Sequence, residues 1–179
     1  MRPGTRAIRR FVFGLWLTAA LVLVGLLAVS HLAPALGYEL VIVKGPSMEP
    51  TIALGGLAFE KPARADQITP GTIVTLTAPN GTLITHRVIR VEQVDGQSAI
   101  ATKGDANPAA DPNLTPIAAV TGIVAASVPF LGFALAWLQI PSGILSVLTM
   151  LGALFTGLTL LEDLESEASS EKGPQAQPA

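Results

Sequence analysis

The sequence predicts a mainly β fold in which a small antiparallel β-domain is carried between two membrane-spanning helices. Three observations predict it. Two long stretches toward the ends of the chain are apolar and free of charge. Between them, β-branched and apolar runs include one that alternates with polar residues, in the period of two that marks a half-buried strand. An Asn-Gly pair joins two such runs, and no amphipathic helix of useful length intervenes. Composition agrees: 50% of the 179 residues are hydrophobic and 13% are charged, where a soluble domain carries about a quarter. Mean hydropathy is +0.54.

The anchors come first. Arg2, Arg6, Arg9 and Arg10 form a basic stretch, residues 1–10, ahead of an apolar run from Phe11 to Ala33. At about 1.5 Å per residue that run makes a helix of roughly 35 Å, enough for a hydrocarbon core of about 30 Å. Pro34 and Gly37 are expected to close it, giving an anchor over residues 11–36. The run exceeds the ~7–15 apolar residues of a cleavable signal, and Ala33-Pro34-Ala35 is a poor cleavage site, so a retained anchor is the expectation. His31, in its last turn, reads as a packing residue. The second stretch, Val128 to Leu161, is too long for one simple span. Pro141 suits a helix start, and the uncharged residues 142–161 fit one transmembrane helix. The piece before it, with Phe130 and Trp137, is expected to lie along the membrane interface over residues 129–141. The alternative is a buried core helix. Residues 162–179, acidic and then rich in Ser, Gln and Pro, read as a disordered tail. The N-terminal arginines favour a cytoplasmic N-terminus and an extracytoplasmic segment 37–128. The acidic tail gives no such support for its own side. The absence of cysteine excludes disulfides and a lipid-linked cysteine.

Residues 37–128 form the expected β-domain, with strands over Tyr38–Lys44, Leu57–Lys61, Thr72–Thr77, Leu83–Val94, Ser98–Thr102 and Ile117–Val128. Asn80-Gly81 between the third and fourth is the hairpin signal. Three short strings in this segment carry chemistry: Gly-Pro-Ser47-Met-Glu-Pro-Thr51, Thr85-His86-Arg-Val-Ile-Arg90, and Lys103-Gly-Asp105 continuing to Asp111. They supply a hydroxyl, an imidazole and two carboxylates. Taken singly, each has a plain structural reading: Ser47 as a turn residue, His86 as a packed strand residue, Asp105 and Asp111 as turn residues.

In order, at these spacings and between two anchors, the three strings resemble the type I signal peptidases. The resemblance is to the serine–histidine kind of the endoplasmic reticulum, archaea and some Gram-positive bacteria, and it covers nearly the whole chain. It implies an antiparallel β-domain of signal-peptidase type. It also implies a membrane-bound serine endopeptidase that removes signal peptides from exported preproteins after small residues. Acyl transfer needs a nucleophile whose proton is removed as it attacks, and the resemblance gives that role to Ser47. His86 is the implied general base, since an imidazole titrating near 6.5 can take and return a proton around neutrality. Arg87 and Arg90 stay protonated and cannot serve. Lys103 could act as base only if buried with a depressed pKa. Of the two carboxylates, the resemblance makes Asp111 the partner that orients His86, and Asp105 the brace of the loop; the reverse remains open. The strand before Ser47 (Val41, Ile42, Val43) and the strand leading to His86 (Leu83, Ile84) are the implied walls for an extended substrate added to strand edges. Met48, Glu49, Pro50 and Thr51 are expected to shape the turn and contact the membrane surface.

The chain departs from the family at Gly45. Many relatives have a serine there whose hydroxyl can donate to the developing oxyanion, and Pro46 has no N–H. The Ser47 amide is the remaining obvious donor. A catalytically weak or inactive relative, acting as a membrane assembly or regulatory protein, is therefore the second expectation. Partners implied are signal peptides, the lipid bilayer and the secretion translocon. No cofactor or metal is implied. The sequence shows no metal-ligand cluster, nucleotide loop or basic nucleic-acid patch, and residues 37–128 carry six Lys/Arg against eight Asp/Glu. Sequon matches at Asn80 and Asn113 are explained by turn roles.

Overall fold

The computed structural model of the chain describes residues 3–78 and 80–170. The chain divides into two compact units: the helical ends, up to Leu27 and from Leu138 onward, and the segment Ala28–Trp137.

The first long helix, α1 (Pro3–Ala35), starts well before the apolar run, because Arg6, Arg9 and Arg10 are good helix formers. Pro34 does not close it. It lies inside the last turn, where its missing N–H breaks one rung and the helix continues to Ala35. Closure falls to Gly37, whose φ of 80° only glycine adopts at no steric cost. The Tyr38 N–H returns to the Ala33 carbonyl at 3.0 Å and the Gly37 N–H to Pro34 at 2.9 Å, the paired bonds that end a helix on a left-handed residue. His31 is exposed, with Nδ1 2.9 Å from Ser30 Oγ, rather than packed.

The last helix, α3 (Pro141–Ser170), begins at the proline and runs past Leu161 through Glu162, Asp163, Glu165 and Glu167. The expected disorder over 162–170 is therefore corrected to helix, since Leu, Glu and Ala propagate helix well. Residues 171–179 lie outside the described residues. Two stretches, Ala7–Ala35 and Pro141–Leu164, are long and apolar enough to cross a membrane. Nothing of their apolar windows is buried within the protein. At their charged ends Arg9 and Glu162 approach to 3.8 Å.

The other unit holds one antiparallel sheet of seven strands: β1 (Glu39–Ile42), β2 (Leu57–Pro62), β3 (Ile73–Thr77), β4 (Leu83–Val94), β5 (Gln97–Lys103), β6 (Thr115–Pro116) and β7 (Val120–Val128). Their order is β1-β2-β7-β3-β4-β5-β6. "Mainly β" thus describes this unit and not the chain, because α1 and α3 alone hold 33 and 30 residues. The β3–β4 hairpin turns at Asn80-Gly81, with Gly81 at φ 80° and Asn80 Oδ1 accepting the Thr82 N–H at 3.0 Å. A second hairpin joins β4 to β5 through Asp95-Gly96, both at positive φ, as a two-residue turn matching strand twist requires. Register shifts leave Ala125 and Thr121 as extra residues on β7 and Ile89 on β4, and such bulges bend a sheet.

Apolar clusters cover both faces. Val74, Leu76, Val88, Ile100, Val120 and Ile68 form one. Val43, Met48, Ile52 and Ala58, with Val41, Ile73 and Val124 against them, form the other. The segment expected at the interface is a short helix, α2 (Leu131–Leu138), with one face docked on the β-domain. Leu135 is buried, and Gly132 sits where a Cβ would lie 2.7 Å from the Gly56 carbonyl. Phe130, Phe133 and Trp137 face outward, 66%, 52% and 46% exposed.

Candidate active site

Ser47 lies in the turn that follows β1. That turn is pinned from below: Met48 is fully buried among Val43, Ile52 and Ala58, so the residue after the serine acts as a plug. This corrects the expectation that Met48 meets the membrane surface. The turn is tied locally by the Glu49 N–H to the Pro46 carbonyl, 3.0 Å, and the Ile52 N–H to Met48, 2.9 Å.

The Lys-Gly-Asp turn presses on the other side of Ser47. The Ala106 N–H donates to the Ser47 carbonyl at 2.8 Å. Gly104 lies so close that a Cβ would fall 2.6 Å from that carbonyl oxygen, so only glycine fits. Two loops remote in sequence are thereby locked at backbone level.

His86 is on β4, two residues before Val88 on the face of the Val74–Val88 cluster, and is 7% exposed. Its Nδ1 lies 2.6 Å from Asp111 Oδ2 and its Nε2 lies 3.2 Å from Ser47 Oγ. A carboxylate only accepts, so Nδ1 carries the proton and Nε2 is free to accept from the serine hydroxyl. Asp111 is itself held twice by Thr102. The Thr102 Oγ1–H donates to Oδ2 at 2.6 Å, and the Asp111 N–H donates to the Thr102 carbonyl at 2.8 Å. Hydroxyl, imidazole and carboxylate therefore stand in a line, with a second residue fixing the carboxylate. Such a line can shuttle a proton off the hydroxyl.

Asp105 is placed elsewhere. Arg87, next to His86 on β4, clamps it with both nitrogens: Nε to Oδ1 at 2.9 Å and Nη2 to Oδ2 at 2.6 Å. The Arg87 Nη1 also donates to the Gly71 carbonyl at 2.9 Å. The hydrogen bonds from Arg87 hold the Asp105 carboxyl below its usual range, with a further bond from Thr51 acting in the same direction. The guanidinium is raised in turn by the same bonds. Asp105 thus joins Thr51 of the serine string to Arg87 of the histidine string. Lys103 pairs with Arg87 in the β4–β5 ladder, on the opposite face from His86.

The five residues read as substrate walls are spread over two strand edges. Val41 and Ile42 are half-buried on β1, which pairs only with β2; Val43, just past its end, is 6% exposed in the core. Leu83 and Ile84 are on β4, which up to His86 pairs only with β3, because β5 begins its pairing at Arg87. Leu83 is 54% exposed and Ile84 is half-buried. Each edge has one unpaired side among the described residues.

Sequence reasoning missed the supporting residues. Thr102 stands directly before the Lys-Gly-Asp string, and its role depends on strand register, which no local signal reveals. It also missed a buried polar ladder on the other face of the sheet. Glu60 of β2, 1% exposed, accepts from Thr75 Oγ1 at 2.5 Å, and Thr75 Oγ1 lies 2.8 Å from Thr85 Oγ1. Gly122 on β7 leaves the room, since a Cβ there would collide with the Glu60 carboxyl. Burial pushes the Glu60 carboxyl up, the Thr75 bond pulls it down less, and the Glu39 charge adds to the rise.

No protein-family model matches the chain, and no curated protein sequence matches it.

Proposed function

We propose that the chain is a membrane-anchored serine endopeptidase of signal-peptidase type, which removes N-terminal signal peptides from exported preproteins after small residues. The observation that carries this reading is the line from Ser47 Oγ to His86 Nε2, 3.2 Å, and from His86 Nδ1 to Asp111 Oδ2, 2.6 Å. In the proposed reaction Ser47 Oγ attacks the scissile carbonyl carbon while Nε2 takes its proton, and Asp111 stabilises the imidazolium. The tetrahedral adduct collapses, the C–N bond breaks, and Nε2 returns the proton to the leaving amine. Water, deprotonated by the same nitrogen, then hydrolyses the acyl ester and frees Ser47. Asp105 positions the loops and takes no proton. The basic N-terminus supports a cytoplasmic start and a β-domain on the outer side, near the translocon that delivers substrate.

Gly45 favours the second reading, a weak or inactive relative with an assembly role. Its hydrogen occupies open space where a side chain could stand, and Pro46 offers no N–H. Loss of one oxyanion donor costs about 10²–10³ in rate.

Ser47→Ala, expressed at native level in membranes, tests both. Uncleaved precursors should accumulate and be identified by their retained N-terminal peptides in mass spectrometry. Normal processing in cells depleted of the wild-type chain and carrying only Ser47→Ala would leave the assembly role standing and remove the peptidase.

A further inference from the structure

Beside Asp111, on the face of the sheet that carries His86, a cavity of about 390 Å³ opens between β3, β4 and the segment 111–119. Leu76, Ile84, Leu114 and Ala119 form its apolar walls, and Thr102 and Asp111 its polar end. Its volume is at the small end of the ~300–1,000 Å³ of ligand pockets. Leu114 is 37% exposed, so the apolar wall meets solvent.

Strand register says what reaches it. The edge of β4 from Leu83 to His86 is unpaired on one side, and beyond His86 the place of a partner is taken by β5. An extended peptide that adds to this edge and offers a carbonyl to Ser47 therefore has only Leu83–His86 to lie along. Residues opposite each other in a sheet share a face, and successive residues alternate. Side chains opposite Leu83 and Thr85 fall on the Glu60–Thr75 face. The side chain opposite Ile84 falls on the cavity face, because Ile84 is a wall of it and pairs with Leu76, another wall.

We infer that this cavity is a specificity pocket for the second residue on the acyl side of the cut, and that it takes a medium-sized apolar side chain such as leucine or methionine. The inference rests on the peptidase reading for the word "cut", but the pocket's binding preference does not. The residue next to the cut lies opposite Thr85 and the one before it opposite Ile84. The Asp111 carboxylate at the pocket's end repels an acidic side chain there. Small residues leave the apolar walls wet.

The test uses the full-length protein in lipid nanodiscs and peptides that differ only at that second position: leucine, alanine or aspartate. In Ser47→Ala protein, which cannot turn substrate over, fluorescence anisotropy should give a Kd for the leucine peptide about tenfold below that of alanine, with aspartate weakest. In wild-type protein kcat/KM should follow the same order. Ala119→Phe fills the cavity and should invert the leucine–alanine preference. If that variant does not fold, Leu114→Ala, at an exposed loop, removes one apolar wall and should narrow the leucine–alanine difference. Equal binding of all three peptides, or a preference that neither variant moves, overturns the pocket. The binding order without any Ser47-dependent cleavage keeps the pocket and overturns the peptidase reading instead.

Discussion

Two polar groups sit on opposite faces of one sheet, and they are built to opposite ends. On one face, His86 is buried but its ring reaches an edge, with a carboxylate behind it and a hydroxyl before it. On the other, Glu60 is sealed at 1% exposure and its carboxyl meets the Thr75 hydroxyl, which in turn meets Thr85. The imidazole has a carboxylate on one ring nitrogen and a hydroxyl on the other. Among the described residues no cation is paired with the Glu60 carboxyl, and burial favours its neutral form. The difference teaches that burial alone does not make a reactive group. What separates the two groups is their partners, a carboxylate and a hydroxyl for the imidazole and hydroxyls for Glu60.

The largest way to break the comparison is to remove the charge partner. Asp111→Asn keeps the shape but lets Nδ1 face an amide, which favours the wrong tautomer. On the proposed peptidase reading, turnover of a signal-peptide substrate should fall about 10³–10⁴-fold, measured as kcat under saturating peptide with the fold checked by circular dichroism. Asp105→Asn, by contrast, loosens the clamp on Arg87 and should lower stability by about 1–2 kcal/mol while costing far less turnover. Its pH signature has a definite sign. The Asp105 carboxyl is held below its unfolded value, so its contribution is present above pH ~4 and is lost as pH falls through the depressed folded value. Wild type should therefore lose its advantage over Asp105→Asn only in strong acid. A larger kcat loss for Asp105→Asn than for Asp111→Asn would exchange their roles.

Legibility followed the same division. Ser47, His86 and both aspartates stand in short strings with recognisable order, and the strands holding them show in β-branched runs and in Asn-Gly. The Asp95-Gly96 turn carried an equally readable signal that the strand reading passed over. The helix over 162–170 was hidden because acidic residues among leucines suit both a solvated tail and a helix. Glu60, Thr75 and Thr85 could not be found at all. They belong to β2, β3 and β4, and the Glu60–Thr75 contact passes over Gly122 of β7, which bulges at Ala125 and Thr121 put in register. Only long-range pairing brings a lone glutamate over a distant glycine. Thr102 was missed for the same reason.

A packing change comes next in size. Gly122→Ala should destabilise the β-domain by about 1–3 kcal/mol, because the new methyl collides with the Glu60 side chain. Glu60→Ala made together with it removes the nearest obstacle, the carboxyl, and leaves the Glu60 Cβ at 3.1 Å. The double variant should be less destabilised than the sum of the singles in urea melts, a coupling that a collision with any other group would not give.

Glu60→Gln gives the smallest effect and the sharpest contrast. Glutamine can accept the Thr75 hydroxyl as the acid does, with no charge to bury. The folded value of Glu60 is raised above its unfolded 4.5, so the stability linked to its protonation is full below pH ~4.5 and is lost as pH rises through the folded value. The variant and wild type should therefore melt alike at pH 4, with the variant gaining as pH rises, about 1.4 kcal/mol for each unit by which the fold raises the pKa. This runs opposite to the Asp105 pair, where wild type loses in acid. Melting curves from pH 2 to 9 separate them. A Glu60→Gln protein that is less stable than wild type at pH 9 would mean that the sealed carboxylate has a partner, and that the two faces of the sheet are alike after all.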